Sequence, residues 1–157
     1  MSKDFGRVGV GLAGGAAKGL AHIGALEALI ESGLQPDVIA GTSAGAMIGG
    51  LYAAGLSTNE LREVIQGFDS TAFGKLIDLT WAKGSLVAGT RVEEFLRDLV
   101  GDVLIEDLDI SFVATAVDIN SGIGHYLDKG PLVDAIRASI SIPGIFEPVI
   151  GNGGYLV

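Results

Sequence analysis

The chain has no cysteine, two histidines and no excess of positive charge. Each shortage removes a class of function. Without cysteine there are no disulfides, no thiolate metal ligands and no cysteine nucleophile. His22 and His125 are far apart in sequence, a poor start for a zinc site, so no metal or other cofactor is expected. Ten lysines and arginines face 19 aspartates and glutamates, a net charge of −9. That balance argues against nucleic acid, whose binding rests on phosphate neutralisation. It equally disfavours simple electrostatic attraction to an anionic membrane. No uncharged apolar run approaches the roughly 18 residues of a membrane span, and residues 1–5 carry no apolar signal region. The expected location is cytoplasmic.

What the chain has in quantity is apolar and small residues: 48% of its 157 residues are hydrophobic, and 25 are glycine. Mean hydropathy of +0.49 is ample for one domain with a real core. Residues 7–12 alternate as a first strand with Gly9 and Gly11 on one side. A loop of small residues, 13–19, leads to a helix over 20–32, where Leu20, Ile23, Leu26, Leu29 and Ile30 keep helical spacing and Gly33 is the stop. A buried strand at 38–41 precedes a nearly all-apolar, and so buried, helix over 44–54. Ser57-Thr58-Asn59-Glu60 is a capping box for a helix reaching about residue 67, and Thr90-Arg91-Val92-Glu93 is a second, opening a helix to about residue 100. Between them, residues 68–88 give mixed signals; Phe73, Leu76, Ile77, Leu79 and Trp81 suit either a lid or a loop packed on the core. A strand over 110–117, a hairpin return at 124–127, a helix over 132–141 started by Pro131, and a hairpin at 149–157 complete the chain. Strands alternating with helices predict an α/β fold: a three-layer sandwich around a mostly parallel sheet. The chain reads as one domain over residues 1–157. Its end in an apolar strand-like run, Tyr155-Leu156-Val157, suggests that the domain continues.

The stretch with chemistry is Gly41-Thr42-Ser43-Ala44-Gly45, a G-x-S-x-G pattern between the buried strand and the buried helix. The glycines make room for a tight strand-to-helix turn carrying Ser43 as nucleophile. A serine hydroxyl needs a base, and acyl transfer needs donors for the oxyanion. Gly14, Gly15 and Ala16, after the first strand, can offer convergent backbone N–H groups, and the N–H of Ala44 can add another. The same loop also reads as a plain βα turn. Gly9-Val10-Gly11-Leu12-Ala13-Gly14 formally matches a dinucleotide fingerprint, but its first two glycines lie inside the strand rather than after it. The base is harder to place. His125 follows Ser43 in sequence, but its candidate acid, Asp118, sits on the same hairpin. His22, on the first helix, reads as a partly buried, satisfied histidine.

The loop Gly14-Gly15-Ala16-Ala17-Lys18-Gly19, the following Leu20-Ala21-His22-Ile23-Gly24-Ala25-Leu26 and the Gly41–Ala46 stretch together resemble the patatin-like phospholipases. Ala138-Ser139-Ile140-Ser141-Ile142-Pro143-Gly144-Ile145-Phe146-Glu147-Pro148-Val149 resembles a further block of that family. Ala16 departs from the usual third glycine of the loop, and Lys18 from a frequent arginine. The resemblance implies a serine acyl hydrolase that cleaves carboxylic esters of lipids through a Ser–Asp dyad, without histidine. Its substrate would be a lipid or acyl ester, reached by peripheral membrane contact. Lys18 would favour anionic head groups. The family's aspartate belongs to a D-G-G or D-G-A motif. Asn152-Gly153-Gly154 reads either as that motif with its aspartate replaced or as a hairpin turn preceding it. The expectation is the second, with the aspartate just past Val157. Either way this segment alone should hydrolyse little or nothing. Two alternatives stand beside this reading: a non-catalytic lipid-binding or interaction module, and an ordinary α/β-hydrolase using His125.

Overall fold

Small residues set how closely the strands and helices of this chain meet. The structure is a computed structural model, and it describes residues 6–67, 88–151 and 153–157. Strand β1 (Gly9–Leu12) is followed by a 3-10 turn (Ala16–Leu20) that runs straight into helix α1 (Ala21–Glu31). Strand β2 (Val38–Gly41), helix α2 (Ala44–Ala53) and helix α3 (Thr58–Gly67) come next, then helix α4 (Ala88–Val100). Strands β3 (Ser111–Val117) and β4 (Gly124–Leu127), helix α5 (Leu132–Ser139) and the hairpin β5 (Val149–Gly151) and β6 (Gly154–Leu156) finish the chain. Gly33, Gly55 and Gly101 end α1, α2 and α4 in the left-handed conformation that glycine tolerates best.

The sheet order is β1-β2-β3-β4, with β1, β2 and β3 parallel and β4 antiparallel to β3. This is the α/β class with a mostly parallel sheet that the alternation of elements predicts. One face carries Leu12, Ile39, Phe112 and Ala114, all buried. Against it lies α2, whose glycines permit near contact: a Cβ at Gly49 would stand 2.7 Å from Ile39 Cγ2. Helix α5 joins the same core through Leu132, Val133 and Ile136. The opposite face is open among the described residues. A Cβ at Gly9, Gly11 or Gly124 would meet nothing within 4 Å, and Ala40 on the central strand is exposed. The described helices thus supply one covering layer of the expected sandwich. The mixed segment over 68–88 falls almost wholly outside the described residues, as does Asn152.

Local expectation and structure part at the second capping box. Ser57 and Glu60 do cap α3: Ser57 N–H donates to Glu60 Oε2 at 2.8 Å, and Glu60 N–H to Ser57 Oγ at 3.3 Å. Thr90, in contrast, lies inside α4, which begins at Ala88. The reason is tertiary. Arg137, buried on α5, donates from Nε to the Gly89 carbonyl at 3.1 Å and so draws the start of α4 into the core. Its guanidinium also donates to Ser141 Oγ and the Glu147 carbonyl and stands 5.1 Å from the centre of the Phe146 ring. Burial pushes the Arg137 pKa down, yet three hydrogen bonds keep the cation satisfied. Arg137→Met should remove three hydrogen bonds, to the Gly89 and Glu147 carbonyls and to Ser141 Oγ, and cost about 3 kcal/mol. For a domain of this size that lowers the melting temperature by roughly 6–12 °C. A calorimetric scan checks it.

The last strand takes a position that the sequence did not suggest. Alternate residues of β3 bond to opposite edges. Ser111 N–H points toward β2, donating to the Asp37 carbonyl, while Asp118 N–H points toward the β4 side, donating to Ile123. Val117 shares the parity of Ser111, and it exchanges both backbone bonds with Val157, at 2.8 and 2.9 Å. Strand β6 therefore runs antiparallel along the edge of β3 that β2 uses, in the lane that β2 leaves when the chain turns out at Ser43.

Candidate active site

Strand β2 ends at Gly41, and only Thr42 and Ser43 separate it from helix α2. Ser43 sits at this corner with φ 53° and ψ −119°, a region that side chains rarely occupy and that costs on the order of 1–3 kcal/mol. Close packing imposes it. A Cβ at Gly41 would stand 2.5 Å from Ala46 Cα, and one at Gly45 would stand 2.5 Å from the Leu12 carbonyl carbon. Only glycines let the corner close this tightly over β1, as the motif predicts. Ser43 is half-buried and reachable from solvent. Its carbonyl accepts the Met47 N–H at 3.0 Å, and its own N–H donates to Ser139 Oγ at 2.8 Å. Beside it, Thr42 N–H donates to the Leu12 carbonyl at 3.0 Å, and the Thr42 and Thr115 hydroxyls meet at 2.7 Å.

The small-residue loop passes directly over this corner. A Cβ on Gly14 would lie 3.5 Å from Ser43 Cβ and 3.6 Å from Thr42 Cγ2, so the loop backbone and the serine are in contact distance. Ala16 opens the 3-10 turn at φ 46°, and Lys18 N–H closes it onto the Gly15 carbonyl at 2.9 Å. Gly19 is buried where a methyl would overlap Ala44 Cβ, so the turn rests on the start of α2. Lys18 is exposed. Among the described residues, the N–H groups of Gly14, Gly15, Ala16 and Ala44 donate no hydrogen bond. Unpaired donors gathered around a strained serine suit the developing charge of a tetrahedral oxyanion. The dinucleotide pattern finds no such support: Gly9 and Gly11 lie inside β1, and the turn that follows is a 3-10 one.

The histidines take other places. His22 Nε2 bonds to the Ala13 carbonyl at 2.8 Å and pins the loop from below. His125 lies on β4 opposite Ala116, with β3 between it and the lane of β2. Two strand spacings amount to about 9–10 Å, and no hydrogen bond among the described residues joins either histidine to Ser43. Asp118 is fully engaged at the end of β3. It accepts from the Ser121 hydroxyl at 2.5 Å and from the N–H groups of Ser121 and Tyr155 at 3.1 Å. The Ser121 hydroxyl, then Tyr155 N–H, hold its carboxyl below the usual range, unlike a general base tuned toward working pH. Its role is to tie β6 to β3. A Cβ on Gly154 would stand 2.8 Å from its Oδ1. Sequence reasoning did not give Ser139 a role, because its bond to Ser43 joins residues 96 apart.

The profile of the patatin-like phospholipase family matches residues 11–157. An uncharacterized NTE family protein of Mycobacterium tuberculosis is 36% identical over 96% of this chain and 43% of its own length. A patatin-like phospholipase domain-containing protein of Caenorhabditis elegans is 37% identical over 95% of this chain and 12% of its own. The lysophospholipase NTE1 of Saccharomyces cerevisiae is 33% identical over 96% of this chain and 9% of its own. The chain thus spans less than half the length of these relatives. Among the described residues no helix is long and apolar enough to cross a membrane. With the family's profile matched from β1 to the last residue, the chain belongs to the patatin-like phospholipases.

Proposed function

We propose that this chain carries the nucleophile and oxyanion site of a lipid acyl hydrolase that cleaves carboxylic ester bonds through an acyl-enzyme on Ser43. The observation that carries the reading is the strained Ser43 beneath the unpaired N–H groups of Gly14, Gly15, Ala16 and Ala44. The Ser43 hydroxyl oxygen attacks the ester carbonyl carbon as a base takes its proton. The N–H groups receive the oxyanion, and collapse expels the alcohol, which regains that proton from the base. Water repeats the sequence on the acyl-enzyme and frees the acid. A family name and a yeast relative named as a lysophospholipase support a lipid substrate.

The base is proposed to be an aspartate directly following Val157. The lane of β6 supports this. Val117 pairs with Val157, so the next position of the strand falls opposite Ala116. Extending the Gly41↔Ala114 pairing by two residues sets Ser43 at about the same level in the neighbouring lane. A carboxylate there shares the helix-covered face with Ser43. Lys18, exposed on the oxyanion turn, would draw anionic head groups. The reading includes a cytoplasmic enzyme that meets its lipid at a membrane surface.

A fluorophosphonate probe tests it, because only an activated serine reacts. A protein extended past Val157 through the next Asp-Gly should be labelled at Ser43, and the chain ending at Val157 should react far more slowly. An extended protein that folds and stays unlabelled would favour the non-catalytic lipid-binding module instead.

A further inference from the structure

Ser43 N–H is the one backbone donor of the elbow whose partner comes from the far end of the chain. Thr42 N–H is held by β1, and the N–H groups of Gly45 and Met47 close onto Thr42 and Ser43 as α2 begins. These bonds fix the strand before the corner and the helix after it. The Thr42–Ser43 peptide is held at its carbonyl by the Gly45 N–H at 2.9 Å and at its other end by Ser139, whose hydroxyl accepts the Ser43 N–H at 2.8 Å. Ser139 is the last residue of α5. That end of the helix is immobilised two residues earlier by Arg137, which is buried and bonded to Gly89, Ser141 and Glu147. Ser141 Oγ in turn donates to the Arg137 carbonyl at 2.7 Å. The acceptor that meets Ser43 therefore stands on a rigid support.

We infer that Ser139 is a positioning residue for the nucleophile: by accepting the Ser43 N–H it holds the strained peptide in the orientation that aims Ser43 Oγ at the ester beneath the oxyanion donors. The inference rests on the proposed role of Ser43. Without the Ser139 hydroxyl, a half-buried N–H loses its acceptor, and the peptide, still held at its carbonyl by Gly45, can tilt to regain one. Tilting that peptide moves the serine oxygen relative to Gly14, Gly15 and Ala16. A misplacement of about 1 Å in a reacting group costs roughly a hundredfold in rate. Substrate binding, which depends on the rest of the site, is not affected by the same change.

The experiment compares Ser139→Ala, Ser139→Val and Ser139→Thr in the extended, active protein, with ester hydrolysis, fluorophosphonate labelling and thermal unfolding measured on each. Valine and threonine have nearly the same shape and differ by the hydroxyl. Expected is a fall in kcat of about 10- to 100-fold for Ala and Val, with KM unchanged and the labelling rate falling in parallel. Ser139→Thr should keep most of the activity. Wild-type kcat in Ser139→Ala, or equal losses in Val and Thr that follow their melting temperatures, overturns the inference. Ser43→Ala, run alongside, separates the two levels. Hydrolysis that survives it sinks the proposed function itself, whereas an inactive Ser43→Ala beside a fully active Ser139→Ala sinks only the role of Ser139.

Discussion

Ser43→Ala in the extended protein is expected to lower ester hydrolysis by at least about a thousandfold, since a serine nucleophile acts as a unit with its base and oxyanion donors. The fold should be untouched. Alanine accepts the same backbone strain as serine, and no hydrogen bond of the Ser43 hydroxyl among the described residues is lost. The stability change should stay within about 0.5 kcal/mol. Ser43→Gly makes the point from the other side. It removes the hydroxyl and also the side chain that resists φ 53°, so it should be equally inactive and at least as stable. Lipid ester hydrolysis and calorimetry on both variants check this. An active Ser43→Ala would remove the assignment.

The second large effect concerns glycine. Gly45→Ala should destabilise the domain by about 3 kcal/mol or more, because its methyl would overlap the Leu12 carbonyl and stand 2.8 Å from the Ala13 carbonyl oxygen. Both obstacles are backbone, so no side-chain rotation relieves them. The strand β1 and helix α2 must part, and the small-residue loop that leaves β1 moves with them. Gly24→Ala on α1 is the matched control. That glycine is helical and exposed, and a Cβ there meets nothing within 4 Å. It should gain about 0.5–1 kcal/mol from better helix propensity. Denaturant midpoints of the two variants should move in opposite directions. Equal shifts would mean that the close approach of α2 to β1 is not what Gly45 serves.

Legibility in the sequence followed the range of the interaction. The Ser57–Glu60 cap was readable because all its partners lie within one turn of helix. The Thr90–Glu93 pattern looks the same but lies inside the helix, because Arg137, 48 residues away, fixes Gly89 there. His22 shows the same limit in milder form. Its helical placement was evident, but only the folded loop reveals that it holds the Ala13 carbonyl. Asp118 was visible as a turn residue and as a doubtful acid. Its actual task, accepting Tyr155 N–H to seat β6, needed the end of the chain folded back onto β3.

By itself the sequence determined the alternation of elements, the glycine-flanked serine corner and the small-residue loop before it. Each is a local demand of backbone sterics: only residues without bulky Cβ groups let a strand turn into a helix within two positions. Its lack of cysteine also removed a cysteine nucleophile, and its two histidines, far apart in sequence, offered Ser43 no convincing base. Tertiary structure alone decided what surrounds that corner. Gly14 comes over Ser43, Ser139 takes its N–H, and β6 runs toward it in the lane vacated by β2. Those placements depend on strand order and register. They arise from the packing of distant segments, which no local pattern encodes.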